Sequence, residues 1–149
     1  MKYLVAFDGS DEAKSALAYA ADLADALGAS ITVVHVVDPY VYEEGGLEPI
    51  STFADADERL IRESLVDAEQ RGLDVIDDAT ALAEELGPDI ETELLYGDPV
   101  PEITDYAQEK GFDAIYVGHR GRSGRTGMLL GSVATGIVER STIPVTVVR

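Results

Sequence analysis

Hydrophobic and polar positions along the chain fall into two regimes: short apolar runs, and longer stretches repeating every three or four residues. Tyr3-Leu4-Val5-Ala6-Phe7 is nearly continuous, as expected of a strand buried on both faces, and it stops at Asp8-Gly9-Ser10. Ser10 suits an N-cap, Asp11 and Glu12 a first turn, and Gly28 the C′ position. Between them Ala16, Leu17, Ala20, Leu23, Ala24 and Leu27 form one helical stripe. Ile31 to Val37 is a second apolar run, broken by Asp38-Pro39. The polar stretch from Tyr40 to about Thr52 reads as a mobile loop. A helical pattern then extends from roughly Asp55 to Leu86, with Gly72 as a candidate break and Gly87-Pro88 as the stop. Ile90 to Leu95 is a more alternating strand, and Asp98-Pro99 supply N-cap and first position of a helix reaching about Lys110. Ala114 to Val117 is a fourth strand. A helix from about Ser132 to Arg140 precedes the closing run Pro144 to Val148.

Five strands alternating with four helices predict an α/β fold: a five-stranded, mostly parallel sheet flanked by helices on both faces. The 149 residues form one domain with no clear internal repeat. In such sheets ligands bind beyond the carboxyl ends of the strands, where strand order reverses. That points to the loops after strands one and four.

Composition narrows the classes. Apolar content of 46% is ordinary for a globular domain, and no apolar run approaches the roughly 20 residues that span a bilayer. The opening MKYLVAFDGSDE lacks the long apolar region of an export signal, so a cytoplasmic protein is expected. With no cysteine, disulfides, thiolate metal sites and thiol redox chemistry are excluded. The unusual feature is charge: 29 acidic against 11 basic residues, net −18, with only three of the basic residues lysine. Such a chain repels nucleic acid and anionic membranes, so neither is expected as a partner. The acids are spread along the helical stretches, which predicts a carboxylate-rich surface suited to a halophilic cytosol.

Against that background, the segment Gly118 to Ser132 stands out. It carries Gly118, Gly121, Gly124, Gly127 and Gly131 together with Arg120, Arg122 and Arg125, and no acid occurs from Gly118 to Ala134. Glycines let backbone N–H groups close around an anion, and Ser132 opens the next helix, whose N-terminus favours phosphate. Asp8 is either a turn-forming Asx residue or a ligand contact to ribose, adenine or a Mg²⁺-bound water. His35, near a strand end, reads as a core histidine; His119 is a candidate ligand contact. The two have no metal-ligand spacing. Tyr40 and Tyr42 are candidates to cover a base. No Ser–His–Asp or Cys–His set appears, and no catalytic residue is assigned.

The spacing Gly118-x2-Gly121-x9-Gly131-Ser132 resembles the nucleotide motif of the universal stress protein family, specifically its ATP-binding subgroup. The resemblance extends to the first strand ending in Asp8, to His35-Val36-Val37-Asp38, to Gly97-Asp98-Pro99 and to Ile143-Pro144-Val145-Thr146-Val147-Val148, so it runs along essentially the whole chain. It implies a Rossmann-like fold of the adenine nucleotide alpha hydrolase type. It also implies ATP or another adenine nucleotide as ligand, Mg²⁺ as an accompanying ion, and hydrolysis that is absent or slow. By that correspondence Gly118 lies under the ribose; Gly121, Gly131, Ser132 and Val133 bind phosphates, with His119 and Arg120 in the same loop. Asp8 lies by the adenosine, the backbone at Val36 meets adenine, and Ala6 and Phe7 border the base. Ala6-Phe7 departs from the Pro-Thr or Val-Asp-type residues that many ATP-binding relatives carry there, and the bulky Phe7 ring either borders the base or faces the core.

The leading reading is therefore an adenine-nucleotide-binding regulatory protein, pairing into a homodimer through its apolar last strand. The alternatives are a nucleotide-free dimeric interaction protein of the same fold and a phosphotransfer receiver-like domain. The receiver reading needs paired acids after strand one, for which Asp8 and Asp11 stand, a phosphoacceptor Asp after strand three, for which Asp98 stands, and a Lys after strand five, which is missing before Arg149.

Overall fold

The apolar runs become five strands and the periodic stretches four helices, in the order β1 (Lys2–Ala6), α1 (Asp11–Leu27), β2 (Ser30–Val37), α2 (Ala54–Leu86), β3 (Ile90–Tyr96), α3 (Pro99–Glu109), β4 (Ala114–Gly118), α4 (Ser132–Arg140) and β5 (Val145–Val148). The structure is a computed structural model that describes residues 1–38, 54–120 and 130–149, with side chains described from 65 onward in α2. The expected loop from Tyr40 to Thr52, with Tyr40 and Tyr42, lies outside the described residues, as do Gly121, Arg122, Gly124, Arg125 and Gly127.

The sheet order is β3-β2-β1-β4-β5, and every adjacent pair is parallel. Order reverses at β1, which pairs with β2 on one edge and β4 on the other. Receiver-type sheets run 2-1-3-4-5 instead, so the order sets that alternative aside.

Alternation along β1 divides the core in two. Tyr3, Val5 and Phe7 pack beneath α1 and α2 with Ala16, Leu17, Ala20, Val75 and Ala79. Leu4 and Ala6 face the other side, with Ile103 and Ala107 of α3 and Ala134 and Ile137 of α4. Small alanines on α1 let it lie close over the sheet. Tyr116 joins this first core, its ring 5.1 Å from that of Tyr3, and burial, with Tyr3 next in effect, pushes its hydroxyl up to about 12.

Two glycines act through what they touch. Gly72, the expected break, sits inside an unbroken α2. A Cβ there would lie 2.8 Å from Val37 Cγ2 and 3.0 Å from Leu94 Cδ2, so the missing side chain is what seats the helix on β2 and β3. Gly136 does the same for α4, where a Cβ would come within 2.6 Å of Val100 Cγ2 on α3.

The sheet edges differ. β3 exposes Glu91 and Glu93, whose carboxylates, after burial, hold the Tyr106 hydroxyl above its ordinary range. β5 is Val145-Thr146-Val147-Val148, all half-buried and uncharged.

Candidate functional site

The carboxyl ends of β1 and β4 lie side by side at the point of strand reversal, and most of the expected site residues gather there. After β1, the Phe7 N–H donates to the Val34 carbonyl at 2.9 Å, extending the ladder by one rung. The Phe7 ring is buried in the core under α1 and α2, so only its main chain faces the loop end. Its carbonyl accepts from His35 Nδ1 at 2.8 Å, which places a proton on that nitrogen. His35 thus ties β2 to the end of β1, and it is half-buried there instead of in the core as expected.

Asp8 is half-buried and its Oδ1 accepts from the Ser10 N–H at 2.9 Å. That is an Asx turn. Gly9 takes φ +82° to complete it, and Ser10 Oγ accepts from the Ala13 N–H at 3.1 Å to cap α1. The turn-forming role expected of Asp8 is realised in the structure.

On β2, Ser30 and Val34 direct their backbone groups to β1, through Ser30 N–H to the Met1 carbonyl and the Val34 carbonyl to Phe7 N–H. Alternate residues of a parallel strand face the same neighbour. Val36 is the next in that series, and the β1 register ends at Val34, so Val36 presents N–H and C=O past the last rung. Ala6 ends β1 beside it, buried on the α3/α4 face.

At the end of β4, Gly118 is buried against α1. A Cβ there would lie 2.8 Å from the Glu12 carbonyl carbon and 2.9 Å from its oxygen. This glycine therefore has a packing role that the motif spacing does not reveal. The next residue is held on both sides: His119 N–H donates to the Val148 carbonyl at 2.8 Å, and its carbonyl accepts from Gly131 N–H at 2.6 Å. The second bond joins the two ends of the glycine-rich segment.

Gly131 is the N-cap of α4 and offers no side chain to cap it; the first turn holds no acid. The leading N–H groups of a helix have no intrahelical acceptor and favour an anion. Ser132 and Val133 are exposed at this end. Beside it, Arg120 Nε donates to His119 Nε2 at 3.0 Å, and His119 Nδ1 is buried with no hydrogen-bond partner among the described residues. A buried polar group left unpaired costs about 1–3 kcal/mol, so this atom suits an acceptor. The sequence marked His119 and Arg120 separately but gave no sign of their pairing.

The structure thus gathers Ala6, Asp8, Gly118, His119, Arg120, Gly131, Ser132 and Val133 at the ends of β1, β4 and the start of α4, with Val36 one strand away. Among the described residues no group of three or more His, Cys, Asp or Glu could hold a metal, and no helix is long and apolar enough to cross a membrane.

Comparison with known proteins adds the lineage. The sequence profile of the universal stress protein family matches residues 1–149. A universal stress protein of Bacillus subtilis is 38% identical over 99% of this chain and 98% of its own length. Among solved structures, a universal stress protein in complex with cAMP superposes with TM-score 0.70 at 27% identity, over 100% of this chain and 97% of its own. That of Archaeoglobus fulgidus in complex with dAMP gives TM-score 0.65 at 26% identity, over 100% and 98% of the two chains.

Proposed function

The chain belongs to the universal stress protein family, and from that premise we propose that it binds an adenine nucleotide at the junction of β1, β4 and α4, acting as a nucleotide-dependent regulatory protein. The observation carrying this reading is the closed neck between His119 and Gly131, which brings the uncapped start of α4 to the strand-reversal point. The phosphates lie at Gly131, Ser132 and Val133, with Gly121 completing the motif and Arg120 supplying a cation. The adenosine end lies by Asp8 and Ala6, with the base against the main chain of Val36 and Phe7. Adenine nucleotides in two relatives of the same fold support the ligand class. ATP is the proposed nucleotide, with Mg²⁺ held by its phosphates and at most one protein carboxylate, Asp8.

A second reading, the nucleotide-free interaction protein, is favoured by one observation. Gly118 and Asp8 each have a structural task, against Glu12 and in the Asx turn, that needs no ligand. Nucleotide content separates the two. Protein purified in high KCl and denatured is expected to release adenine nucleotide near stoichiometrically by mass spectrometry, and Gly131→Val to release little. An empty wild type that also fails to bind added ATP with Mg²⁺ hands the case to the second reading.

We further propose a homodimer through β5. The carbonyls of Pro144 and Val148 accept from Ile115 and His119, so even-numbered residues of β5 turn toward β4 and Val145 and Val147 direct theirs outward. An uncharged edge of this kind invites a second copy, whereas the Glu91 and Glu93 carboxylates discourage it at β3. Sedimentation at micromolar concentration is expected to give a dimer. Val147→Pro removes one outward N–H while sparing those that bond β4, and is expected to shift the protein to monomer. A wild-type monomer would sink the proposal.

A further inference from the structure

We infer that Arg140, at the far end of α4, is a positioning residue for phosphate: with Gly136 it sets α4 in register on α3, and that register places Ser132 and the leading N–H groups of α4 where the ligand's phosphates bind. The inference rests on the nucleotide reading above and adds to it the device that holds the site's helix in place.

α4 has nine residues, and it meets the core beneath it through Ala134 and Ile137, both apolar. Apolar packing is non-directional, so by itself it leaves a short helix free to slide and roll. The neck bond from Gly131 N–H to the His119 carbonyl pins one end, but a single bond is a pivot. Direction comes from α3. Val100 and Thr104 stand one turn apart on α3, and Gly136 and Arg140 stand one turn apart on α4. Gly136 meets Val100, where an added Cβ would lie 2.6 Å from Cγ2. Arg140 meets Thr104, its Nε donating to Oγ1 at 3.0 Å. Two matched points along such rows fix both the axial position and the roll of one helix on another. Ser132 is the next member of the α4 row, one turn nearer its start. α3 begins at Pro99, too late to cover it, and Ser132 is exposed at the phosphate end.

The two polar contacts of Arg140 differ in kind. Thr104 is buried, and its Oγ1 donates to the Val100 carbonyl at 2.9 Å, which leaves the hydroxyl's lone pairs for the guanidinium. Arg140 Nη2 also lies 3.2 Å from Asp105 Oδ1, but these side chains are 50% and 54% exposed, and salt screens such pairs. The bond to Thr104 is therefore the one that holds the register. α3 does not compete for the phosphate. Pro99 and Pro101 remove two of its leading N–H groups, and Glu102 puts a carboxylate in its first turn. α3 is the support and α4 the donor.

Thr104→Val is the informative variant: it keeps the shape and the charge and removes the acceptor for Arg140 Nε. Calorimetric binding of ATP and of adenosine is to be measured in about 1 M KCl, where long-range charge effects are screened. The proteins are wild type, Thr104→Val, Thr104→Ser, Arg140→Met and the Thr104→Val/Arg140→Met double variant. ATP affinity is expected to fall about tenfold in Thr104→Val and in Arg140→Met, the size of one well-placed contact between a helix start and an anion. The double variant is expected to fall no further, since both changes remove the same bond. Thr104→Ser keeps the acceptor and is expected to bind ATP as wild type does. Adenosine, which lacks phosphate, is expected to bind every protein alike. A role confined to stability would lower the thermal midpoint and leave the ATP affinity of the folded protein unchanged. That result, an equal loss for ATP and adenosine, a loss in Arg140→Met without one in Thr104→Val, or losses that add in the double variant overturns the inference while leaving the nucleotide reading intact. A wild type that does not bind ATP overturns the nucleotide reading and this inference with it. Should Arg140→Met not fold, the contrast between Thr104→Val and Thr104→Ser decides: equal ATP affinity in the two overturns the inference.

Discussion

Gly118→Ala is expected to destabilise the ligand-free protein by about 1–3 kcal/mol, the usual cost of forcing a methyl into a filled space. The atoms in the way belong to Glu12: its carbonyl carbon and Cβ at 2.8 Å, and its oxygen at 2.9 Å from the new Cβ. Two of these are main chain in the first turn of α1. That turn is fixed by the Ser10 cap and cannot swing aside as a flexible side chain would. Relief therefore requires the end of β4 and the start of α1 to part, at the junction where the proposed nucleotide lies. Urea unfolding of the empty protein should show a lower midpoint at unchanged slope. Unaltered stability with lost ATP affinity would instead mean that Gly118 matters only for the ligand. Loss of both means that one glycine serves both purposes, through its missing side chain toward α1 and its main chain toward the nucleotide.

Raising KCl from about 0.05 to 1 M is expected to stabilise the fold by several kcal/mol, with a midpoint rise on the order of 10 °C or more. The net charge of −18 is confined to a small body. Treated as a sphere of roughly 19 Å radius, it has a self-energy that falls from about 15 to about 5 kcal/mol over that range, while the expanded chain gains only about 2. Local placement points the same way. α1, α2 and α3 have no basic residue in the last turn, and α2 and α3 end on Glu84-Glu85 and Glu109, acids set against the negative end of the helix dipole. Thermal melts across a KCl series test this. A flat or falling midpoint would show that the acidic surface is not a salt adaptation.

Most of the architecture could be read from the chain because its signals are local. The caps at Ser10, Gly28 and Asp98, and the switch from helical to strand periodicity, placed element boundaries to within a residue or two. The strand order is different: alternation predicts a parallel sheet, but the reversal at β1 rests on its pairing with both β2 and β4, which no local signal encodes. Glycines were less legible, since a glycine that ends a helix and one that admits a neighbour are the same letter. Gly72 answers to Val37 and Leu94, and Gly118 to Glu12, contacts made by residues far away along the chain. Phe7 left two readings open, a base pocket or the core, and strand alternation sends its ring into the core with Tyr3 and Val5. The His119–Arg120 bond was invisible because adjacency in sequence says nothing of where two side chains meet.

The position of β1 in the sheet also sets a timetable. The strand made first stands in the centre, and its second edge is covered only when Tyr3 meets Ala114. A ribosome adding 5–20 residues per second needs roughly 5–20 s to reach that point. During that interval β1-α1-β2-α2-β3 can assemble as a half-sheet whose open edge is Tyr3-Leu4-Val5, apolar and unguarded. In the nascent protein, the edge that will border the ligand site is therefore the one that most needs shielding, and β4 ends that exposure and builds the site in the same step.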